Sequence, residues 1–222
     1  MNIDYILALM PAVGRGTVVT LQIFFCTLIF ALPLGLPFAL GSISKIPPLR
    51  WISKFYIWVF RGTPLMLQLF FMFYALPLLS GGLIRMERFP TAVVTFVLNY
   101  AAYFAEIYRA GIESIDKGQY EAAKSLGFSP WQTMRIVIIP QTIKRILPPV
   151  ANESITLVKD TALVYTIGLT ELLMVAKDSM NRDVDVSGYI IVALIYLALT
   201  AILTFAARKI ERRFSRHERE SV

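Results

Sequence analysis

The sequence holds one cysteine and one histidine in 222 residues, and charged residues make up only 17% of it. With Cys26 alone, a disulfide within the chain is excluded, and a cysteine-rich metal cluster has no ligands to draw on. His217 stands in a polar tail and reads as a solvated side chain rather than a catalytic one. No G-x-x-x-x-G-K-[ST] occurs, so the chain has no P-loop to cradle ATP phosphates. Nor does any nucleophile–base pair or metal-ligand set lie within the apolar runs, which sets a membrane-embedded enzyme aside. We assign no catalytic residue, no metal and no cofactor to this chain. The start, Met1 to Met10, carries Asp4 and lacks a basic leader region, so it does not read as a cleaved signal peptide.

What the chain has in quantity is hydrophobic residues, 56%, with a mean hydropathy of +0.62. A soluble domain usually carries about 25% charged residues. The solvent for most of this chain is therefore lipid, and the fold class expected is an all-α integral membrane protein in one domain, 1–222. A net charge of +7 suits nucleic acid only when it forms a patch on a soluble surface. Here the basic residues lie in short clusters between apolar runs, so nucleic acid is not an expected partner.

A helix needs about 20 residues to cross the hydrocarbon core. The uncharged stretch from Gly16 to Ser44 is ample, with a bend expected near Pro33, Gly35 and Pro37. Gly62 to Ile84 follows the amphipathic stretch Trp51 to Phe60. Phe89 to Ala105 extends past Glu106. Pro148 to Leu173 is interrupted by Glu153, Lys159 and Asp160, and Val186 to Ala207 is uncharged. These runs predict five transmembrane helices, spanning about 16–44, 53–80, 89–112, 146–173 and 186–207. A loop at about 114–140 and a charged tail at 208–222 complete the chain. Met1 to Pro11 reads as a short interfacial helix.

Orientation follows from the basic residues. One assignment puts fifteen of the 22 on the side of the tail and two, Arg61 and Lys159, within spans. Only five, Arg15, Arg85, Arg88, Lys177 and Arg182, fall on the opposite side. The positive-inside rule then predicts a cytoplasmic C-terminus and an external N-terminus.

The loop between the third and fourth spans is the most informative stretch. Asp116 suits an N-cap, with Gln119 placed to complete a capping box. Gly127 suits the residue that ends the helix, and Ser129–Pro130 the N-cap and first turn of the next one. A short helix, a sharp stop and a second helix are predicted. Ala122, Ala123 and Leu126 are expected near one face, where two small side chains beside a leucine let another surface approach the backbone. Pattern alone leaves two readings open: a partner protein's groove, or packing on the chain itself or on the membrane.

Glu121-Ala-Ala, then Gly127 after three residues, then Val137-Ile-Ile-Pro140 after nine, resembles the EAA loop of ABC importer permeases. Valine and isoleucine stand in that last element for isoleucine and leucine. The flanks resemble the polar amino acid branch of the family. They include Arg61-Gly-Thr-Pro64 with Gln68, Ala105-Glu-Ile-Tyr-Arg109, Lys117-Gly-Gln-Tyr120, Asn152-Glu153 and Lys159-Asp-Thr161. Ala110 stands where the family more often has glycine. The likeness runs from about Gly14 to Arg208.

The resemblance implies a type I ABC importer permease in a bacterial cytoplasmic (inner) membrane. The short helix would then be a coupling helix, with Glu121, Ala122, Ala123, Leu126 and Gly127 meeting an ATP-hydrolysing subunit. It also implies two copies of that subunit, which would hold ATP and Mg2+. A second permease chain, identical or different, and an extracytoplasmic amino-acid-binding protein complete the implied assembly.

Charged groups at membrane depth are costly, about 2.5 to 3.5 kcal/mol each on insertion scales, and tend to face water, a cavity or a partner charge. Glu153, Thr156 and Asp160 share a helix face, and Asn99, Tyr103 and Glu106 share another. Asn99, Tyr103, Glu153, Thr156 and Asp160 are the candidate substrate pathway, where a carboxylate attracts an ammonium or guanidinium group. The structural alternatives are a Lys159–Asp160 latch and a Glu106–Arg109 pair. At Arg61-Gly-Thr-Pro64 the proline permits a helix break that frees a backbone carbonyl, or merely a kink.

The function expected is ATP-driven import of polar amino acids, with basic ones such as arginine, lysine or histidine as candidates. The alternative from another class is a secondary transporter or channel that uses an ion gradient through Glu153 and Asp160. A docking helix on a cytoplasmic hinge favours the first.

Overall fold

In a computed structural model of the chain, residues 3–215 are described, and the regular elements among them are all helical. His217, Arg216 and Arg219 of the charged tail lie outside the described residues. In chain order the helices are α1 (Ile3–Ser42), α2 (Pro47–Gly62), α3 (Leu65–Phe70) and α4 (Leu76–Leu79), the last two joined by a π turn, Phe71–Ala75. Then come α5 (Arg88–Glu113), α6 (Lys117–Ser125) and α7 (Pro130–Gln132). A π segment, Thr133–Ile138, leads into α8 (Ile139–Asp160), and a 3-10 segment, Thr161–Ile167, follows it. Finally come α9 (Leu172–Asp183) and α10 (Ser187–Ser215).

α1 is the backbone of the bundle. It is one helix of 40 residues, so the separate interfacial helix expected before Pro11 is absent between Ile3 and Pro11. Leu9 and Val13 explain the continuity, because both are buried against Leu172, Val175 and Ile191 of α9 and α10. Tyr5 adds a hydrogen bond from its hydroxyl to Asp183 at 3.0 Å. The helix also continues through Pro33 and Pro37.

α5 lies along α1 in the same direction. Their C-terminal residues Ser42 and Glu113 line one cavity, and the Tyr108 hydroxyl reaches the Leu32 carbonyl at 3.2 Å. Close approach needs Gly35, where an added Cβ would stand 3.0 Å from the Ala101 carbonyl oxygen. Lipid tails are as apolar as leucine, so packing of this kind rather than exclusion of water holds such helices together. Phe96, Tyr100 and Phe104 of α5 meet Ile23 and Phe24 of α1, Leu69 of α3 and Leu157 of α8 in the main core.

α1 and α10 are each long and apolar enough to cross a membrane alone, whereas α2 with α3 and α4 is so only as a broken pair, bent by 103°. The run expected as one span over 53–80 thus starts earlier, at Pro47, and breaks at Thr63–Pro64. The run expected over 146–173 is likewise divided among α8, the 3-10 segment and the first turn of α9. That division leaves Asp160 at the end of α8, beside Tyr100 of α5.

Candidate functional site

The break after α2 is built from the side chains around it. Pro64 has no N–H to give to the Phe60 carbonyl four residues back. That oxygen instead accepts from Asn99 Nδ2 at 3.1 Å and from Gln68 Nε2 at 2.9 Å. Gln68 also donates to the Thr63 carbonyl and hydroxyl, at 3.1 and 2.7 Å, and its own oxygen accepts from Asn99 at 3.0 Å. The Thr63 hydroxyl serves the Val59 carbonyl at 2.8 Å. A helix end at membrane depth is tolerable only with its carbonyls satisfied in this way. Asn99, expected to line the substrate pathway, is buried and engaged in this network. Tyr56 pins the same stretch of α2 to α5 through the Leu98 carbonyl at 2.5 Å.

Below the break lies a cavity of about 520 Å³, lined by Lys54, Arg61, Tyr103, Glu106, Arg109 and Glu113 among others. Arg109 grips Glu106 with two hydrogen bonds, 2.8 and 2.5 Å, and also binds Glu113. Glu106 is thus held structurally. Arg61 stands over the Tyr103 ring, 5.3 Å from its centroid, and meets Glu106 once, at 3.6 Å.

Of the carboxylates on α8, Asp160 accepts from the Tyr100 hydroxyl at 2.7 Å rather than from Lys159, which is exposed. Among the described residues, Glu153 forms no hydrogen bond or ion pair, although it is partly buried and feels the charges of Asp160 and Arg61. Thr156 is partly buried on the same helix. The structure therefore brings Tyr100, Tyr103, Arg61, Glu153 and Asp160 into one polar region and leaves Asn99 as part of its scaffold.

Sequence reasoning missed Glu171 in the run it read as apolar. This side chain is fully buried. It caps α9 by accepting from the backbone N–H groups of Leu173 and Met174, at 2.8 and 2.9 Å, and it takes the Tyr196 hydroxyl of α10 at 2.7 Å. A carboxylate at a helix N-terminus is favoured by the orphan N–H groups there. The signal available was its place just before a helical run.

At the far end of α5, α6 forms the short rod. Asp116 caps it through Gly118 N–H at 2.6 Å. Gly127, at φ +78°, ends it: Phe128 N–H bonds to the Ala123 carbonyl and Gly127 N–H to that of Lys124, both at 3.0 Å, a Schellman motif. The capping box expected at Asp116–Gln119 does not form, because Gln119 accepts from Gln141 of α8 at 3.1 Å. A capping box forms instead at Ser129–Gln132.

The face expected to hold Ala122, Ala123 and Leu126 together is split. Ala123 is buried, because neighbours in sequence stand about 100° apart on a helix. Glu121, Ala122, Leu126 and Gly127 are exposed, with Leu126 at 75%. Trp131, which the sequence reading did not single out, is 70% exposed nearby in sequence. Two contacts tie this end together: Gln119–Gln141, and Arg145 donating to the Ser114 carbonyl at the end of α5.

Comparisons with known proteins agree with this arrangement. Residues 31–216 match the family model described as binding-protein-dependent transport system inner membrane component. The arginine transport system permease protein ArtQ of Bacillus subtilis (strain 168) is 40% identical over 98% of this chain and 100% of its own length. The L-cystine transport system permease protein TcyB of the same organism is 38% identical over 93% of this chain and 88% of its own. Among solved structures, an amino acid ABC transporter crystallised with histidines superposes with a TM-score of 0.89. It is 36% identical, covering 96% of this chain and 99% of that one. Its fold is that of a type I ABC importer permease, and this chain belongs to the binding-protein-dependent transport system inner membrane component family.

Proposed function

We propose that this chain is the permease subunit of an ATP-driven importer of polar amino acids, with basic ones such as arginine, lysine or histidine as preferred cargo. Amino acid ABC transport is the activity named for its relatives along nearly the whole chain. The preference for a cation is supported by one observation above others: Glu153 sits in the polar region of the bundle with no hydrogen-bond or ion-pair partner among the described residues. A desolvated carboxylate without a partner is costly and accepts a cationic group readily.

In this reading five spans cross the membrane: α1, the broken α2–α4 unit, α5, α8 with its 3-10 extension, and α10. The N-terminus is external, and the α6 end faces the cytoplasm. Two permease chains, identical or different, enclose the path, because five helices alone make a poor closed pore. A binding protein delivers the amino acid from outside. Two ATPase subunits hold ATP and Mg2+ and receive the rod formed by α6. Their closure moves the rod, and Gln119–Gln141 and Arg145–Ser114 carry that motion into α8 and α5. Glu121, Ala122, Leu126 and Gly127 present the contact surface, while Ala123 seats the rod on its own protein.

Reconstitution in liposomes tests this. Uptake of labelled arginine that requires ATP, the cognate ATPase and the binding protein supports the proposal. Uptake driven by an ion gradient without ATP would replace it with the secondary-transporter reading.

A further inference from the structure

We propose that Arg61 is the group that receives the α-carboxylate of the transported amino acid. This rests on the reading of the chain as an amino acid permease and adds what recognises the feature common to all amino acids.

Arg61 is the last residue but one of α2, immediately before the break at Thr63–Pro64. Its guanidinium lines the cavity of about 520 Å³ and its side chain is 40% exposed there. Its one ion pair in the described structure, to Glu106, is long at 3.6 Å. Glu106 does not depend on it, because Arg109 already supplies that carboxylate with two short hydrogen bonds. Arg61 can therefore leave Glu106 without leaving that partly buried carboxylate unpaired.

The Tyr103 ring, with its centroid 5.3 Å from the guanidinium carbon, helps to hold Arg61 in place. A planar guanidinium offers paired N–H donors that match a carboxylate, which a lysine does not. The cavity as a whole carries the cations Lys54, Arg61 and Arg109 against the carboxylates Glu106 and Glu113, so it has one positive charge in excess.

The charge of Arg61 also acts on Glu153, the carboxylate to which the proposed function gives the cationic end of the cargo. Without cargo, Arg61 rests on Glu106. With cargo, the α-carboxylate takes the place of Glu106 on Arg61, and a cationic side chain lies toward Glu153.

The test is direct binding to the purified complex of this chain with its ATPase, in detergent with neutral phosphatidylcholine. Labelled arginine, histidine and glutamine are each compared with the matching decarboxylated amine: agmatine, histamine and 4-aminobutanamide. Wild type is expected to favour the acid. Arg61→Gln should weaken binding of the acid about tenfold, the worth of one lost charge-assisted hydrogen bond. Binding of the amine should change less than about twofold.

Arg61→Lys, which keeps the charge and supports assembly if the glutamine variant does not fold, should fall between the two. Equal losses for acid and amine, or no loss for either, overturn the assignment. So does a difference between wild type and Arg61→Gln that appears only when anionic lipid is added, since the cavity would then hold a lipid phosphate. If wild type binds none of the three amino acids, the amino-acid reading itself fails and this assignment falls with it. Binding of the acids that is insensitive to Arg61 sinks the assignment alone.

Discussion

Asn99 of α5 donates to the carbonyl of Phe60 at 3.1 Å, and Phe60 is the residue whose helical partner was removed by Pro64. A break in one helix is thus repaired by a side chain of another. Replacing Asn99 with leucine should cost about 1–3 kcal/mol in unfolding free energy, the range for unsatisfying a buried polar group. The low end applies, because Gln68 still reaches the same oxygen. Asn99→Leu with Gln68→Leu should lose more than the two single changes together, by at least about 0.5 kcal/mol. Thermal or denaturant unfolding of the detergent-solubilised protein measures this, and strictly additive losses would dissolve the network.

Glu171 should be a stability residue with no part in selecting cargo. Glu171→Ala removes the cap from α9 and the partner from Tyr196. The expected loss is about 1–3 kcal/mol. Tyr196→Phe should lose less, because the backbone cap remains. Unfolding measurements on both variants, with the ranking of amino acids bound, check this. An altered ranking in the surviving Glu171→Ala protein would give Glu171 a different role.

Glu153→Gln should weaken binding of arginine to the assembled complex more than binding of glutamine. A charge-assisted hydrogen bond is worth about 1.5–3 kcal/mol, so roughly a tenfold loss is expected for the cationic cargo. Equal losses for the two amino acids would remove the charge argument.

The surface around α6 should be separable from the fold. Leu126→Asp and Trp131→Asp change side chains that are 75% and 70% exposed, so unfolding should move by less than about 0.5 kcal/mol. Association with the ATPase subunit should weaken, since each change puts an unpaired charge on or beside the proposed contact surface. Gly127→Val differs: at φ +78° a β-branched residue is strained, by about 1 kcal/mol or more, and the end of the rod should shift. Co-purification of the ATPase with each variant provides the measurement. Full retention with both aspartate variants would place the contact elsewhere.

Much of the rod was legible in the sequence because its signals are local. Asp116, Gly127 and Ser129–Pro130 each act within a few residues, and each does in the structure what its type allows. Gln119 was misplaced because its partner, Gln141, is distant in sequence and belongs to another helix. The same limit hid Glu171, whose meaning depends on Tyr196, and it hid the contacts of Asn99, placed on the substrate pathway, to Phe60 and Gln68. Pro64 announced a possible break, but a 103° turn rather than a kink exposes carbonyls that Asn99 of another helix helps to satisfy, which periodicity does not encode. Ala122 and Ala123 looked equivalent by composition, and only the packing of α6 on its own protein separates them.

Transmission of force through the rod is most directly tested by a reversible cross-link. In a Cys26→Ser background, Ala122→Cys is paired with single cysteines placed around the docking cleft of the ATPase subunit, and ATP-driven uptake is followed before and after oxidation. The account predicts a disulfide between the two chains that stops uptake and a reductant that restores it. If neither Ala122→Cys nor Leu126→Cys joins the ATPase at any position while uptake proceeds normally, the rod is not where the energy enters.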